Sequence, residues 1–184
     1  MNYFIEVEGL YELEIQEKWE EARELLYKMW ENDKLNSKKL IRLLFECWYV
    51  LAEWNCINTS SISRKALQDT LIECTDFGIQ NFMDDVHFLC VAGYMISLFP
   101  YLFYNHGDGD FYTELEQKGL GMLRKACELN PNDRIAMALN LGFKLDLKEG
   151  EYNEVIRPLS NELAKLFPRK TAIETYFKNA LTVR

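Results

Sequence analysis

The sequence predicts an all-α protein of about nine helices joined by short turns, in one domain spanning residues 1–184. Three observations predict it. Apolar residues recur at spacings of three and four along most of the chain, and no alternating strand pattern persists. Only 4 prolines interrupt it, and no Pro/Gly/Ser-rich linker divides it. Residues 86–104 contain no Asp, Glu, Lys or Arg, in a chain that is 27% charged, and their apolar side chains point in every direction around a helix. A helix apolar on all sides is buried on all sides, so amphipathic helices must surround this one. With 48% hydrophobic and 14% aromatic residues the chain is no disordered tail. Its 184 residues are enough to bury about two thirds of the unfolded surface.

Residues 3–16 place Phe4, Leu10, Leu13 and Ile15 among glutamates, a short helix weakened by Gly9. In residues 17–30, Trp19, Ala22, Leu25, Leu26, Met29 and Trp30 form one face, and Glu20, Glu24 and Lys28 stack on the other. After a turn at 32–36, Ser37 is a favourable N-cap for a helix over 38–54. The apolar set of that helix, from Leu40 to Leu51, is wide enough to pack on two sides. A polar loop at 55–61 leads to a helix over 61–77, carried by Ile62, Ala66, Leu67, Thr70, Leu71 and Cys74. Gly78 stands where a left-handed C-terminal cap would be. Asp84 and Asp85 lead the charge-free stretch with charges that suit a helix N-terminus. Pro100 must end or kink it, and Gly93 beside Ala92 lets neighbouring helices approach closely. Residues 105–110, Asn-His-Gly-Asp-Gly-Asp, are a loop. The remaining helices are 111–129, ended by Asn130-Pro131-Asn132-Asp133; 134–148, stopped by Gly150; 151–166, carrying Pro158; and 171–181.

Two stretches resemble the tetratricopeptide repeat. Met122-Leu-Arg-Lys-Ala-Cys-Glu-Leu-Asn-Pro131 resembles the end of a repeat. In that frame Ala126 packs against the next hairpin, Gly119 is the other small contact, Leu123 is the large residue between them, and Pro131 breaks the chain. Residues 141–155 resemble the family's first helix and its Gly-Asp/Glu-Tyr turn, with Gly150 at the turn and Tyr152 at the aromatic position. Lys18-Trp-Glu-Glu-Ala22 looks like a further copy of that turn. The chain departs from the family in its Pro131-to-Gly150 spacing, in Pro158 within a helix, and in the loop at 105–110. The resemblance implies a right-handed stack of antiparallel helical hairpins, a tetratricopeptide-like α-α superhelix, whose concave face holds another protein.

The net charge is -8 and unevenly placed. Residues 1–92 carry 17 Asp and Glu against 9 Lys and Arg, whereas residues 93–184 carry 12 of each. An acidic field repels phosphate backbones and anionic lipid and attracts a basic partner, besides keeping a protein soluble. Nucleic-acid binding needs a cationic footprint and is not expected. The 5 cysteines are Cys47, Cys56, Cys74, Cys90 and Cys127, with no Cys-x-x-Cys pair, which fits reduced thiols and a cytoplasmic protein. The N-terminus lacks a signal-peptide pattern. His87 and Pro100 lie inside the charge-free stretch, Asp84 and Asp85 precede it, and no Lys/Arg cluster flanks it, so a buried helix is expected and no membrane span.

No phosphate-binding loop and no Gly-x-Ser-x-Gly elbow is present, and Gly119-Leu-Gly121 lies within a helix pattern. The only histidines are His87 and His106, and nothing local activates Cys90. Asp84-x-x-His87 lacks the further carboxylates of a bundle metal site, and Asp108-Gly-Asp110 lacks the later ligands of a calcium loop. No catalytic residue, metal or cofactor is therefore expected. In character, a small, acidic, motif-free chain is similar to bacterial toxin-immunity proteins. The resemblance implies a non-enzymatic module that masks a basic, nuclease-type toxin. Its expected partner-binding residues are Glu12, Glu17, Glu20, Glu21 and Glu24 for steering, Tyr101, Phe103 and Tyr104 as anchors, and Asp108 and Asp110 in the loop. The alternatives are a tetratricopeptide-type adaptor or chaperone, and a helical enzyme gathering His87 or His106 with carboxylates.

Overall fold

The computed structural model describes residues 5–104, 111–143, 150–168 and 171–182. Among these residues it contains nine α-helices and no strand. They are α1 (Leu10–Ile15), α2 (Trp19–Glu31), α3 (Ser37–Ala52), α4 (Arg64–Asn81), α5 (Val86–Leu98), α6 (Phe111–Leu129), α7 (Arg134–Leu141), α8 (Glu151–Leu166) and α9 (Ala172–Ala180). A 3-10 helix, Pro100–Phe103, follows α5. The protein is all-α, as the periodicity requires.

Side chains set the starts of four of the helices. Ser63, Asp85, Asp133 and Thr171 each accept backbone N–H groups at the heads of α4, α5, α7 and α9. Two expectations change. Asn36, not Ser37, occupies the cap position of α3, and the Ser37 hydroxyl instead donates to Asp85 Oδ2 at 2.6 Å, tying the head of α3 to the head of α5. Gly78 is no cap, because α4 runs on to Asn81. A Cβ at Gly78 would lie 2.2 Å from Cε2 of Phe88, so the glycine is there to admit that ring.

Helix α3 lies at the centre. Every residue from Leu40 to Leu51 is buried, and α2, α4 and α5 all pack against it. The fourth cover is α9, which returns from the far end of the chain. The Phe177 ring lies tilted against Phe45 with centroids 4.4 Å apart, Tyr176 meets Trp48 edge-on at 5.3 Å, and the Tyr176 and Tyr94 hydroxyls are 3.0 Å apart. In an open solenoid each hairpin touches only its neighbours. Successive helices do pair here, but α9 adds contacts to α3 and α5 that span most of the chain. The stretch 86–104 is buried as expected over α5, and it shares the centre with α3. At 13 residues, α5 is short, and no helix among the described residues is long and apolar enough to cross a membrane.

The closest helix crossing is between α5 and α6. A Cβ at Gly93 would lie 2.9 Å from the Gly119 carbonyl oxygen, and one at Gly119 would lie 2.5 Å from Ser97 Oγ and 2.7 Å from the Ser97 backbone nitrogen. The expectation that Gly93 admits a neighbour closely holds, and Gly119 is its counterpart. Backbone cannot step aside as a flexible side chain can. Gly119→Ala is expected to lower the stability by about 1–3 kcal/mol, and Gly93→Leu to prevent stable folding, through overpacking. Urea denaturation measures both, and an unchanged midpoint would contradict the crossing.

Candidate functional site

Both packed on α3, helices α2 and α4 are linked to each other by three side-chain contacts. The Arg23 guanidinium pairs with Glu20 of its own helix and donates to Thr70 Oγ1 at 3.3 Å. The Tyr27 hydroxyl donates to the Glu73 carboxylate at 3.1 Å, and the Trp30 ring meets Phe77 edge-on at 5.4 Å. Burial, the Glu73 hydrogen bond and its charge push the Tyr27 hydroxyl up to about 12, so it remains a donor at neutral pH. Along α4 the residues opposite Leu67, Leu71 and Cys74 are Asp69, Glu73 and Asp76, which are exposed. They extend the carboxylates Glu20, Glu24 and Glu31 of α2 into one acidic face. Lys65 pairs with Asp69 at 2.5 Å and does not cancel the surplus.

The other flank of α4 holds an aromatic corner. The Gln68 side-chain amide donates to the carbonyls of Leu102 (3.4 Å) and Tyr104 (3.3 Å), pinning the 3-10 helix to α4. With three residues per turn, positions three apart share a side. Pro100 and Phe103 therefore both face inward and Tyr101 faces outward, while Tyr104, in extended backbone just after the helix, is half-buried. Phe103 is 8% exposed and offers a partner little surface, whereas Tyr101 is 39% exposed. Phe111 and Tyr112, at the head of α6, complete the corner at 46% and 45% exposure. Tyr112 lies nearly parallel to Tyr101, with ring centroids 6.4 Å apart, and Phe111 stands 6.4 Å from Tyr104. Sequence reasoning passed over Phe111 and Tyr112. Their signal was that they precede the core stripe Gly119, Met122, Leu123 and Ala126.

The other expected residues are spread more widely. Glu12 is exposed on α1. Glu17 has φ 53 and accepts from the Asn58 backbone N–H at 3.2 Å, which ties the α1–α2 turn to the loop before α4. Glu21 is 3.9 Å from Lys18, and Glu24 is exposed on the acidic face. Asp108 and Asp110 lie outside the described residues, as does His106. His87 Nδ1 is 3.9 Å from Asp85, whose Oδ1 accepts two backbone N–H groups. Among the described residues no group of three or more His, Cys, Asp and Glu could hold a metal ion. Burial pushes the Cys47 and Cys74 thiols far up, so both are protonated at neutral pH. No family model matches the chain, and neither does any curated protein or solved structure.

Glu14, Arg42 and Glu46 form a buried ionic cluster. Arg42 of α3 lies between Glu14 of α1 and Glu46 of its own helix, pairing with both, at 2.9 Å to Glu46 Oε2. Burial, only partly opposed by Arg42, raises the Glu46 carboxyl above the ordinary glutamate value of 4.5. The folded protein thus keeps a proton that the unfolded chain loses above pH 4.5. Stability contributed by that proton falls as pH rises from there to the raised pKa. Glu46→Gln is expected to flatten this part of the melting-temperature profile against pH. Arg42→Met removes the buried cation that pairs with Glu14 and Glu46 and is expected to cost about 3–5 kcal/mol. Thermal unfolding between acid and neutral pH checks both, and parallel profiles for Glu46→Gln and the unchanged protein would disprove the first.

Proposed function

We propose that the protein is a non-enzymatic binding module that masks a basic protein, and most specifically an immunity protein that covers the active or binding surface of a cognate nuclease-type toxin. The observation that carries this reading is the joining, through α4, of a carboxylate surplus on α2 and α4 to a corner of solvent-facing aromatic rings. The two parts do different work. A field of one sign raises the encounter rate with a partner of the other sign. Rigid aromatic rings bury a large area at little entropic cost and hold what the field has collected. The tetratricopeptide resemblance of residues 115–167 supports the same class, since stacked helical hairpins present surfaces for other proteins.

Co-purification with the product of the neighbouring gene tests the reading. It fails if the two proteins do not associate and the neighbour is no toxin. With a partner in hand, Glu24→Lys combined with Asp76→Lys is expected to slow association roughly tenfold at low salt and leave dissociation nearly unchanged. Tyr101→Ala combined with Tyr112→Ala is expected to speed dissociation by about tenfold or more instead. Surface plasmon resonance at several salt concentrations separates the two effects. An association rate that ignores both charge reversal and salt would move the interface off this face.

A further inference from the structure

A groove of about 660 Å³ runs between α7 and α8. Met137, Val155, Leu159 and Leu166 line it with apolar surface, while Arg134, Glu154, Pro158 and Glu162 line it as exposed residues. Arg134 Nη1 donates to Glu162 Oε1 at 3.2 Å, so that cation is matched by that carboxylate. Glu154 forms no ion pair among the described residues. Asp133 also lines the groove, where it accepts the backbone N–H groups of Ile135 and Ala136, so the groove carries two carboxylates more than its ion pair accounts for.

Pro158 supplies a second, independent observation. It lies inside α8, where a proline has no N–H to give. The donor it lacks is the one that the Glu154 carbonyl, four residues earlier, would accept. Residues four apart share a helix face, and both of these line the groove. An apolar floor, a carboxylate and a carbonyl without its helical donor thus meet in one place. The proline costs the helix stability and leaves the Glu154 carbonyl without that helical donor.

We propose that this groove seats a short segment of a protein partner, with apolar side chains against Met137, Val155 and Leu159 and a Lys or Arg whose donors reach the Glu154 carboxylate and carbonyl. The inference rests on the reading of the protein as a partner-binding module, and it names the chemistry of the segment held. Charge complementarity selects a basic segment over an acidic one, and the exposed residues on both helices leave the groove open to a chain longer than a small molecule.

A peptide titration tests it without the cognate partner, so it can fail while co-purification succeeds, or the reverse. The probe is a peptide of about twelve residues with leucines at helical spacing and lysines between them. Its control carries glutamate in place of lysine. Titrated into ¹⁵N-labelled protein, the lysine peptide is expected to shift resonances of α7 and α8 saturably and to bind about tenfold tighter than the control. Glu154→Gln is expected to weaken it several-fold. Pro158→Ala gives the decisive pair of readings: the melting temperature rises because the helix regains a donor, and the peptide binds several-fold more weakly because the acceptor is used. Shifts confined to α2 and α4, equal affinity for the two peptides, or unchanged affinity in Pro158→Ala would each overturn the proposal. So would concentration-dependent shifts of the same α7 and α8 resonances without peptide, which would assign the groove to a second copy of the chain.

Discussion

The structure depends on covering α3. A helix buried without a break from Leu40 to Leu51 has no solvent side, so each of its faces needs a partner element. Helices α2, α4 and α5 supply three, and the rings of α9 supply the fourth. This constraint explains where the acidic face lies. Once α2 and α4 have both turned their apolar stripes to α3, their outer edges meet, and Arg23, Tyr27 and Trp30 join them. Enclosure also brings Arg42 and Glu46 out of water. A guanidinium between two carboxylates keeps such a site tolerable, and the pair's geometry ties α1 to the centre through Glu14.

Much of the fold was legible in the sequence because helix periodicity is a local signal. The apolar side of α2 could be drawn from residue spacing alone, and the end of α5 from Pro100. What spacing cannot distinguish is why a small residue stands where it does. Gly78 carries the signature of a helix cap, yet its reason is the Phe88 ring ten positions on. Likewise nothing in residues 171–181 shows that Tyr176 and Phe177 close over Trp48 and Phe45, since that pairing joins distant parts of the chain. Ser37 has the chemistry of a cap and uses it on Asp85, a partner visible only after α3 and α5 lie together.

The candidate site shows the same division. Total acidity and the N-terminal glutamates could be counted, but the continuation of the acidic face onto Asp69, Glu73 and Asp76 required knowing that α4 lies beside α2. The outward turn of Tyr101 follows from the proline that ends α5, and the three-residue turn that follows removes Phe103 from the surface. Phe111 and Tyr112 joined the corner only when the head of α6 was placed opposite Tyr101 and Tyr104. The surface thus combines one property that composition reveals, charge, with one that only tertiary contact reveals, the clustering of rings.

The return of α9 to α3 also has a consequence for the order in which the protein can be made. Ring contacts between Trp48 and Tyr176 close a loop of well over a hundred residues, and such distant contacts form late and slowly. Until α9 has been made, Tyr94 and Phe99 already stand against Trp48, but the rings of Tyr176 and Phe177 are missing from that side of α3. A chain that has not yet made α9 therefore leaves Phe45 without the Phe177 ring, and incompletely covered rings invite aggregation.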